Sequence, residues 1–256
     1  MEEAIERAVG RVIQTMHENL SEQLTVDDMA RTAMFSKFHF SRVFRQATGI
    51  SPGRFLSALR LQEAKRLLIS TSLSVADISN RVGYTSVGTF SSRFKSSVGI
   101  APTTYRQYGG FATRIVPDSR SIGAEIRSST IQGEVWAPST ARLGLIFVGL
   151  FPTCVPQGRP LRCTVLHSPG PYLLEDVPPG SWHLLSHAVS PGEEEIIGDP
   201  FSRAHAPSVA GVGPITIGPD ARITTADLHL RPAHPLDPPV LMALLDVRKV
   251  ALRSAG

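Results

Sequence analysis

The sequence predicts a multidomain α and β protein: an all-α double helix-turn-helix unit, then an all-β antiparallel sandwich with a short C-terminal helix. Three observations support this prediction. A two-helix pattern is duplicated in the first half of the chain. After about residue 130 the sequence consists of short β-prone runs, and the excess of Lys and Arg over Asp and Glu lies in the first half. We place the domains at residues 1–108 and 130–256, with a linker at 109–129.

The duplication is visible as a direct repeat. Residues 40–52 align with residues 90–102 at a constant offset of fifty, and residues 24–30 align with residues 73–79 after one residue of slippage at Thr85. Each copy therefore contains two helices and a turn. A short helix, a turn and a second helix with a basic outer face form the plan of a helix-turn-helix reader of duplex DNA.

The helices that support this plan have recognisable patterns. An amphipathic stripe predicts a first support helix, with apolar residues at Ile5, Val9, Val12, Ile13, Met16 and Leu20. Thr25 and Ser74 are hydroxyl caps followed by acidic residues, so they mark the start of the first helix in each copy.

The second helix of each copy is the predicted recognition helix. Residues 36–48 are expected to bury a stripe and to expose a basic face, with Phe40, Val43, Phe44 and Ala47 inside and Lys37, Phe38, Ser41, Arg42 and Arg45 outside. An exposed ring suits contact with a thymine methyl or a sugar, and Arg42 suits a bidentate pair with guanine. The alternatives are that Phe38 only covers the turn and that Arg45 binds phosphate.

The second recognition helix, residues 86–98, has a smaller outer face. It is expected to bury Val87, Phe90 and Phe94 and to expose Gly88, Thr89, Ser92, Arg93 and Lys95. We expect it to read DNA shape and methyl groups, with Arg93 and Lys95 on the DNA backbone.

Between the copies, Ser51-Pro52 opens a long helix with Arg54, Arg60, Lys65 and Arg66 outside. That helix would hold the two motifs about one DNA turn apart, about 34 Å.

Charge and composition agree with a nucleic-acid partner. The chain carries 14 Lys and Arg against 9 Asp and Glu up to Gly110, and 12 against 13 after it. A merely solvated basic surface is the alternative. The sequence has no apolar run long enough for a bilayer, and an acidic start where a signal peptide would be basic, which predicts a cytoplasmic protein without a membrane partner.

Residues 36–68, 74–84, 90–95 and 99–106 resemble the DNA-binding domain of the AraC/XylS family of bacterial transcription regulators. The resemblance covers about residues 5 to 108. It implies a seven-helix unit that binds promoter DNA and activates transcription by recruiting RNA polymerase. The matching motif positions imply base contacts from Phe38, Ser41, Arg42, Gly88, Thr89 and Ser92, and the outer faces imply DNA backbone contacts from Lys37, Arg45, Arg93 and Lys95.

The chain departs from the family pattern in three ways. Met34-Phe35 replaces the usual Gly-containing turn of the first motif, and Gly88 has no side chain with which to read a base. The DNA-binding domain comes first in the chain, whereas most members of the family place it last. The second motif is therefore expected to discriminate less between sequences.

The second half reads as a sandwich of about seven or eight strands, because short β-prone runs alternate with Pro and Gly. Residues 170–185 are similar to the hairpin of prealbumin-like sandwiches related to carboxypeptidase regulatory modules, which implies a binding or structural module. Asp237 before Pro238-Pro239 predicts the start of the terminal helix.

No catalytic site, cofactor site or metal site is predicted in this half. His183 and His187 would share a strand face without a third ligand, so a pair of surface histidines is favoured over a metal site. Cys154 and Cys163 are read as two buried thiols, with a redox pair as the alternative. Glu193-Glu194-Glu195 is read as a solvated loop. Three roles stay open for the domain: binding a small-molecule effector, dimerisation or partner binding, and an enzyme targeted to DNA, which is the least favoured.

Overall fold

The computed structural model describes residues 2–110, 129–139, 141, 143–188, 207–218 and 222–242. Its internal contacts divide the chain into two compact units. The helical unit comprises residues 1–110 and 234–241, and the strand unit comprises the described parts of residues 111–233 together with Met242. Most of the predicted linker, residues 111–128, lies outside the described residues.

Seven α-helices form residues 2–110, the number that the resemblance implies. They are α1 (Glu2–Glu18), α2 (Val26–Ala33), α3 (Lys37–Thr48), α4 (Pro52–Ser70), α5 (Val75–Arg81), α6 (Val87–Val98) and α7 (Pro102–Gln107). We call α2 and α3 the first motif, and α5 and α6 the second motif. Val9, Val12, Ile13 and Met16 of α1 are fully buried, as the apolar stripe predicts.

Both motifs pack on a row of three aromatic rings in tilted and edge-on contact. The rings are Phe40, Phe44 and Phe55 for the first motif, and Phe90, Phe94 and Tyr105 for the second. Successive ring centroids lie 5.5 Å apart in the first row, and 5.7 and 5.5 Å apart in the second. Such tilted and edge-on pairs are favourable ring geometries. The repeat in the sequence therefore corresponds to a repeated arrangement of buried aromatic rings in the two motifs.

Lys65 of α4 corrects one prediction. Its side chain was predicted to lie on the outer face of α4, but Lys65 is only 6% exposed, and its Nζ donates a hydrogen bond of 3.3 Å to the Val240 carbonyl oxygen. Burial lowers the pKa of Lys65 to about 8. The reason is that residues 234–241, assigned by sequence to the second domain, belong to the helical unit.

The terminal helix predicted from Pro238 is wrong for the residues that the structure describes, since residues 238–242 are not helical. Asp237 does not cap a following helix. Its Oδ2 accepts a hydrogen bond of 2.7 Å from the His234 N–H and closes a turn with the residues before it. Pro239 also disfavours the helical conformation at Pro238. Residues 243–256 lie outside the described part of the chain.

The strand unit contains nine strands in its described residues. They are β1 (Ser129–Trp136), β2 (Ile146–Phe151), β3 (Arg162–Leu166), β4 (Gly170–Val177), β5 (Gly180–Ala188), β6 (Ser208–Ile217), β7 (Ile223–Thr225), β8 (Leu228–His229) and β9 (Arg231–Pro232). The first sheet has the order β4-β1-β7, with β8 also beside β1, and the second has the order β3-β2-β5-β6-β9.

The expectation of a purely antiparallel fold is wrong for the first sheet. The second sheet is antiparallel throughout, but β7 and β8 run parallel to β1. A parallel pair needs a long crossover, and the chain between β1 and β7 provides it by passing through the second sheet. One hydrophobic cluster contains residues of both sheets, including Ile131, Tyr172, Val148 and Leu184. The prealbumin-like identity of these sheets stays a prediction.

Candidate nucleic-acid interface

The turns of the two motifs have the same backbone shape with different residues. Met34 follows α2 in the left-handed conformation with φ 58° and ψ 39°, and Gly83 follows α5 with φ 82°. In both turns the next residue donates its N–H back to the helix, from Phe35 to Ala30 and from Tyr84 to Ser79. The left-handed residue with this hydrogen bond is a Schellman end. The first motif therefore keeps the turn without the glycine.

Both motifs also begin with a capping box, which confirms the predicted caps. Thr25 Oγ1 accepts from the Asp28 N–H at 3.2 Å, and Ser74 Oγ accepts from the Asp77 N–H at 3.1 Å. Each carboxylate accepts in return from the backbone N–H of its cap residue. The hydrogen bonds from Thr25 hold the pKa of Asp28 below its usual value. These reciprocal bonds fix the first turn of each motif's first helix.

Two arginines hold the connections that lead into the motifs. Arg60 donates to the carbonyl oxygens of Leu20 and Glu22 at 3.0 and 2.6 Å, just before α2. Arg106 donates to those of Leu68, near the end of α4, and Leu73, just before α5, at the same distances, 3.0 and 2.6 Å. Sequence reasoning missed both contacts, and it placed Arg60 outside. The sequence carries no local signal for them, because the bonded residues lie 33 to 40 positions apart.

The outer face of α3 carries the residues predicted for the first motif. Phe38 is 87% exposed, and Arg42 and Arg45 are exposed, while Ser41 is half-buried. Lys37 Nζ lies 2.8 Å from Asp27 Oδ2 on α2, an exposed ion pair that sequence reasoning also missed. A Phe with this exposure contributes nothing to the core. The low burial of Phe38 therefore does not support the alternative that its ring only covers the turn.

His39 orders the first turn of α3. Its ring lies edge-on to Phe35, with centroids 4.9 Å apart, and its Nδ1 is 3.3 Å from Arg42 Nη2. The contact holds the Arg42 guanidinium on the outer face of the helix. A positioned guanidinium loses less conformational entropy when it binds than a mobile one.

The outer face of α6 is different in shape and charge. Gly88, Thr89, Ser92, Arg93 and Lys95 are all exposed. The prediction that Val87 is buried is wrong, because its side chain is 39% exposed. Val87 is the first residue of α6, where Lys37 stands in α3, so it lies at the solvent-facing end of the stripe.

Both histidines that were considered as possible metal ligands in the strand unit lie on β5. His183 and His187 pair with Phe151 and Phe147 on β2 and share a face, but His187 is buried and is not the surface residue that was predicted. Within the described residues no three His, Cys, Asp or Glu side chains are grouped to hold a metal ion.

The two cysteines are half-buried and are not joined by a disulfide, and burial raises the pKa of the Cys163 thiol to about 11. Glu193-Glu194-Glu195 lies outside the described residues. Of the helices that the structure describes, none is both long and apolar enough to span a bilayer.

Comparison with known proteins gives the class of the helical unit. A family model described as "Helix-turn-helix domain" matches residues 29–108, which run from within α2 to just beyond α7. The helical unit therefore contains a helix-turn-helix domain.

Similar proteins identify the family. The transcriptional activator AarP of Providencia stuartii is 34% identical over 98 residues, which cover 38% of this chain and 73% of AarP. The lactose operon transcription activator of Staphylococcus xylosus is 30% identical over 100 residues, 39% of this chain and 36% of that protein. A solved AraC-type regulator from Chromobacterium violaceum is 30% identical, covers 40% of this chain and 92% of that one, and has a TM-score of 0.39. Because the match to AarP reaches 34% identity over more than two thirds of that protein, the chain belongs to the AraC family of DNA-binding helix-turn-helix transcription regulators.

The extent of these matches differs between relatives. The chain spans most of AarP but only about a third of the lactose operon activator.

Proposed function

We propose that this chain is a sequence-specific transcription activator that reads two successive major-groove segments of duplex promoter DNA. The observation that carries the proposal is the pair of motifs with matching turns, caps and cores that present α3 and α6 to solvent. Two recognition helices in one polypeptide bind adjacent groove segments when a rigid helix separates them, and α4 is that helix.

In the first motif, Phe38, Ser41 and Arg42 contact bases. The exposed ring of Phe38 supports an apolar contact with a thymine methyl, and the Arg42 guanidinium, positioned by His39, supports a bidentate pair with guanine. Lys37 and Arg45 bind phosphates. Because Lys37 is already paired with Asp27 at an exposed site, its exchange to a phosphate costs little.

In the second motif, Gly88, Thr89 and Ser92 contact bases, and Arg93 and Lys95 bind the DNA backbone. Gly88 has open space where a Cβ would stand, with only Ser86 Oγ at 3.8 Å, so α6 brings its own backbone close to the groove. Two small hydroxyl residues discriminate bases less than an arginine does. The second motif therefore contributes mostly shape and backbone affinity.

The strand unit serves regulation and not catalysis. It binds a small-molecule effector, or a partner such as a second copy of the chain, while the helical unit works with RNA polymerase at the promoter in the cytoplasm. The roles of the named relatives as transcription activators support the sign of regulation.

The test is selection of bound sequences from a random DNA pool with the full chain. We expect an asymmetric site with two informative blocks about one helical turn, about 34 Å, apart. The full chain is used because residues 234–241 belong to the helical unit, so a fragment that ends at Gly110 lacks part of it.

Two matched variants assign the blocks. Arg42→Ala should remove information from one block, and Ser92→Ala should reduce the other. Recovery of a single block that Arg42→Ala does not change would contradict the two-motif proposal, and no enriched sequence at all would reduce the helical unit to a non-specific DNA tether.

A further inference from the structure

The outer face of the first sheet of the strand unit contains a concavity. Its volume is about 580 Å³. Residues of β1, of β4, of the end of β7 and of the segment just after β7 line it: Gln132, Gly133, Glu134, Pro171, Tyr172, Leu173, Thr225 and Asp227. Glu134 and Asp227 contribute carboxylates, whereas the described residues that line the site include no Lys, Arg or His. A site with this lining attracts positive charge.

The position of Asp227 is set by the fold. Between β7 and β8 the backbone passes so close to β1 that a Cβ on Gly133 would lie 2.1 Å from the Ala226 carbonyl oxygen. The Ala226 N–H donates to Gln132 O at 2.9 Å, and the Tyr172 hydroxyl donates to Ala226 O.

One carboxylate oxygen of Asp227, Oδ1, accepts from the Glu134 N–H at 2.9 Å. The carboxylate is therefore held in place before a ligand binds, which reduces the entropic cost of binding.

An aromatic surface continues from the concavity along the same sheet face. Trp136 is two residues beyond Glu134 on β1, so the two side chains are on one face. Trp136 is 49% exposed and stacks on His229, with ring centroids 6.5 Å apart and planes 13° apart. Leu173 on the neighbouring β4 is also 49% exposed. The site thus combines the fixed carboxylate of Asp227 and a second carboxylate, that of Glu134, with exposed ring and alkyl surface.

We propose that this face binds a small organic cation with a flat aromatic body. Its ammonium group pairs with the carboxylates of Asp227 and Glu134, and its ring packs on Trp136, two residues beyond Glu134 on the same face of β1. An aromatic anion would be repelled by the two carboxylates, and a neutral polyol would leave both charges unpaired. That the ligand acts as the effector of DNA binding rests on the function proposed above.

The experiment titrates the full chain with 2-phenylethylamine and follows tryptophan fluorescence and heat. Trp136 and Trp182 are the two tryptophans of the chain, and Trp182 packs against the core cluster, so quenching is expected to report on Trp136. We expect saturable binding of one amine per chain, with phenylacetate at least about tenfold weaker.

Asp227→Asn keeps the size and an oxygen for the Glu134 N–H, and should weaken amine binding about tenfold. Glu175→Gln is the control, since Glu175 is an exposed carboxylate of β4 that does not line the concavity. A thermal scan checks that both variants are folded.

Equal binding of phenylacetate, no effect of Asp227→Asn, or no saturable binding of the amine would each overturn the proposal. Promoter DNA binding is measured separately without the amine. If the chain binds the amine but selects no DNA sequence, the proposed function is refuted and the ligand site stands. If it selects a DNA site but does not bind the amine, the ligand site is refuted and the proposed function stands.

Discussion

The two motifs of the helical unit are alike where they pack and different where they face solvent. Both have a capping box, a left-handed turn residue, a row of three rings and a glycine at the end of the recognition helix. Their outer faces have diverged: α3 presents Lys37, Phe38 and Arg42 where α6 presents Val87, Gly88 and Ser92.

This difference teaches which constraints act on a duplicated unit. Packing and backbone geometry tolerate few changes, because an altered core residue or cap costs stability in either copy. Outward residues carry no such constraint, so they can diverge for recognition. We therefore expect the first motif to supply most of the sequence discrimination and the second to supply mostly affinity.

The largest effect is expected from Gly83→Ala in the turn of the second motif. An added Cβ would lie 2.3 Å from the Leu20 carbonyl oxygen, and the residue has φ 82°. We expect the free energy of unfolding to fall by about 3 kcal/mol. Urea unfolding of the full chain, followed by circular dichroism at the helical band, measures it.

The matched control for this change is Gly99→Ala. Gly99 also has positive φ, at 102°, but nothing lies within 4 Å of its added Cβ. Only backbone strain remains, so the expected loss is about 1 kcal/mol. Equal losses at the two glycines would show that close approach in the second turn is unimportant.

The next effect is on DNA affinity. Arg42→Ala should weaken binding to the selected site by about 1 to 3 kcal/mol, and Ser92→Ala should weaken it by less than about 1 kcal/mol. Fluorescence anisotropy on the selected site and on a scrambled site measures both. A loss from Arg42→Ala that is the same on the two DNAs would make Arg42 a phosphate contact and would remove the proposed asymmetry.

A smaller effect distinguishes the first helices of the motifs. Ser79 of α5 is fully buried and, among the described residues, its hydroxyl has no hydrogen-bond partner, whereas Ala30 stands at the aligned position of α2. Ser79→Ala should raise the free energy of unfolding by about 1 kcal/mol, because an unsatisfied hydroxyl is removed. The reverse change, Ala30→Ser, should lower it. Destabilisation by Ser79→Ala would indicate a bond that this hydroxyl makes in solution.

In the turn of the first motif, the left-handed position is occupied by Met34 and not by glycine, so the opposite substitution can be made there. Met34 is 81% exposed and has φ 58°, so its replacement removes backbone strain and little packing. We expect Met34→Gly to raise the free energy of unfolding by about 0.5 to 1 kcal/mol. Met34→Asn, which also tolerates this conformation, should give a smaller gain. A loss for both variants would show that the Met34 side chain makes a stabilising contact.

The smallest expected effect is a pH dependence at the first capping box. Hydrogen bonds from Thr25 lower the pKa of Asp28 in the folded chain, so its contribution is present above the unfolded value of about 3.9 and is lost as pH falls through the folded pKa. Asp28→Asn should therefore lose less stability than the parent chain between pH 5 and 3. Thermal midpoints across that range, compared with Glu3→Gln at an exposed pair of α1, measure the difference.

Much of the helical unit follows from the sequence because its signals are local. The caps at Thr25 and Ser74, the apolar stripe of α1 and the outer face of α3 each depend on residues within a few turns. Lys65 could not be predicted in the same way. Its bond to Val240 joins residues 175 positions apart, and no helical pattern carries that information.

In the strand unit, the strands could be predicted but not their pairing. Parallel alignment of β7 with β1 depends on the route of the chain through the other sheet. For the candidate interface, sequence identified the outward residues of α3 and α6, while the pairing of Lys37 with Asp27 required the relative placement of α2 and α3. Whether those outward residues contact DNA stays a prediction.

The return of residues 234–241 to the helical unit has a consequence for synthesis on the ribosome. Domains generally fold as they emerge, with the N-terminal one first. Here the seven helices are complete at Gln107, but the Lys65 bond to Val240 forms only after all nine described strands have been translated. The first unit to begin folding is therefore completed only after the strands of the second, and a transcript truncated before Val240 yields helices that lack their final segment.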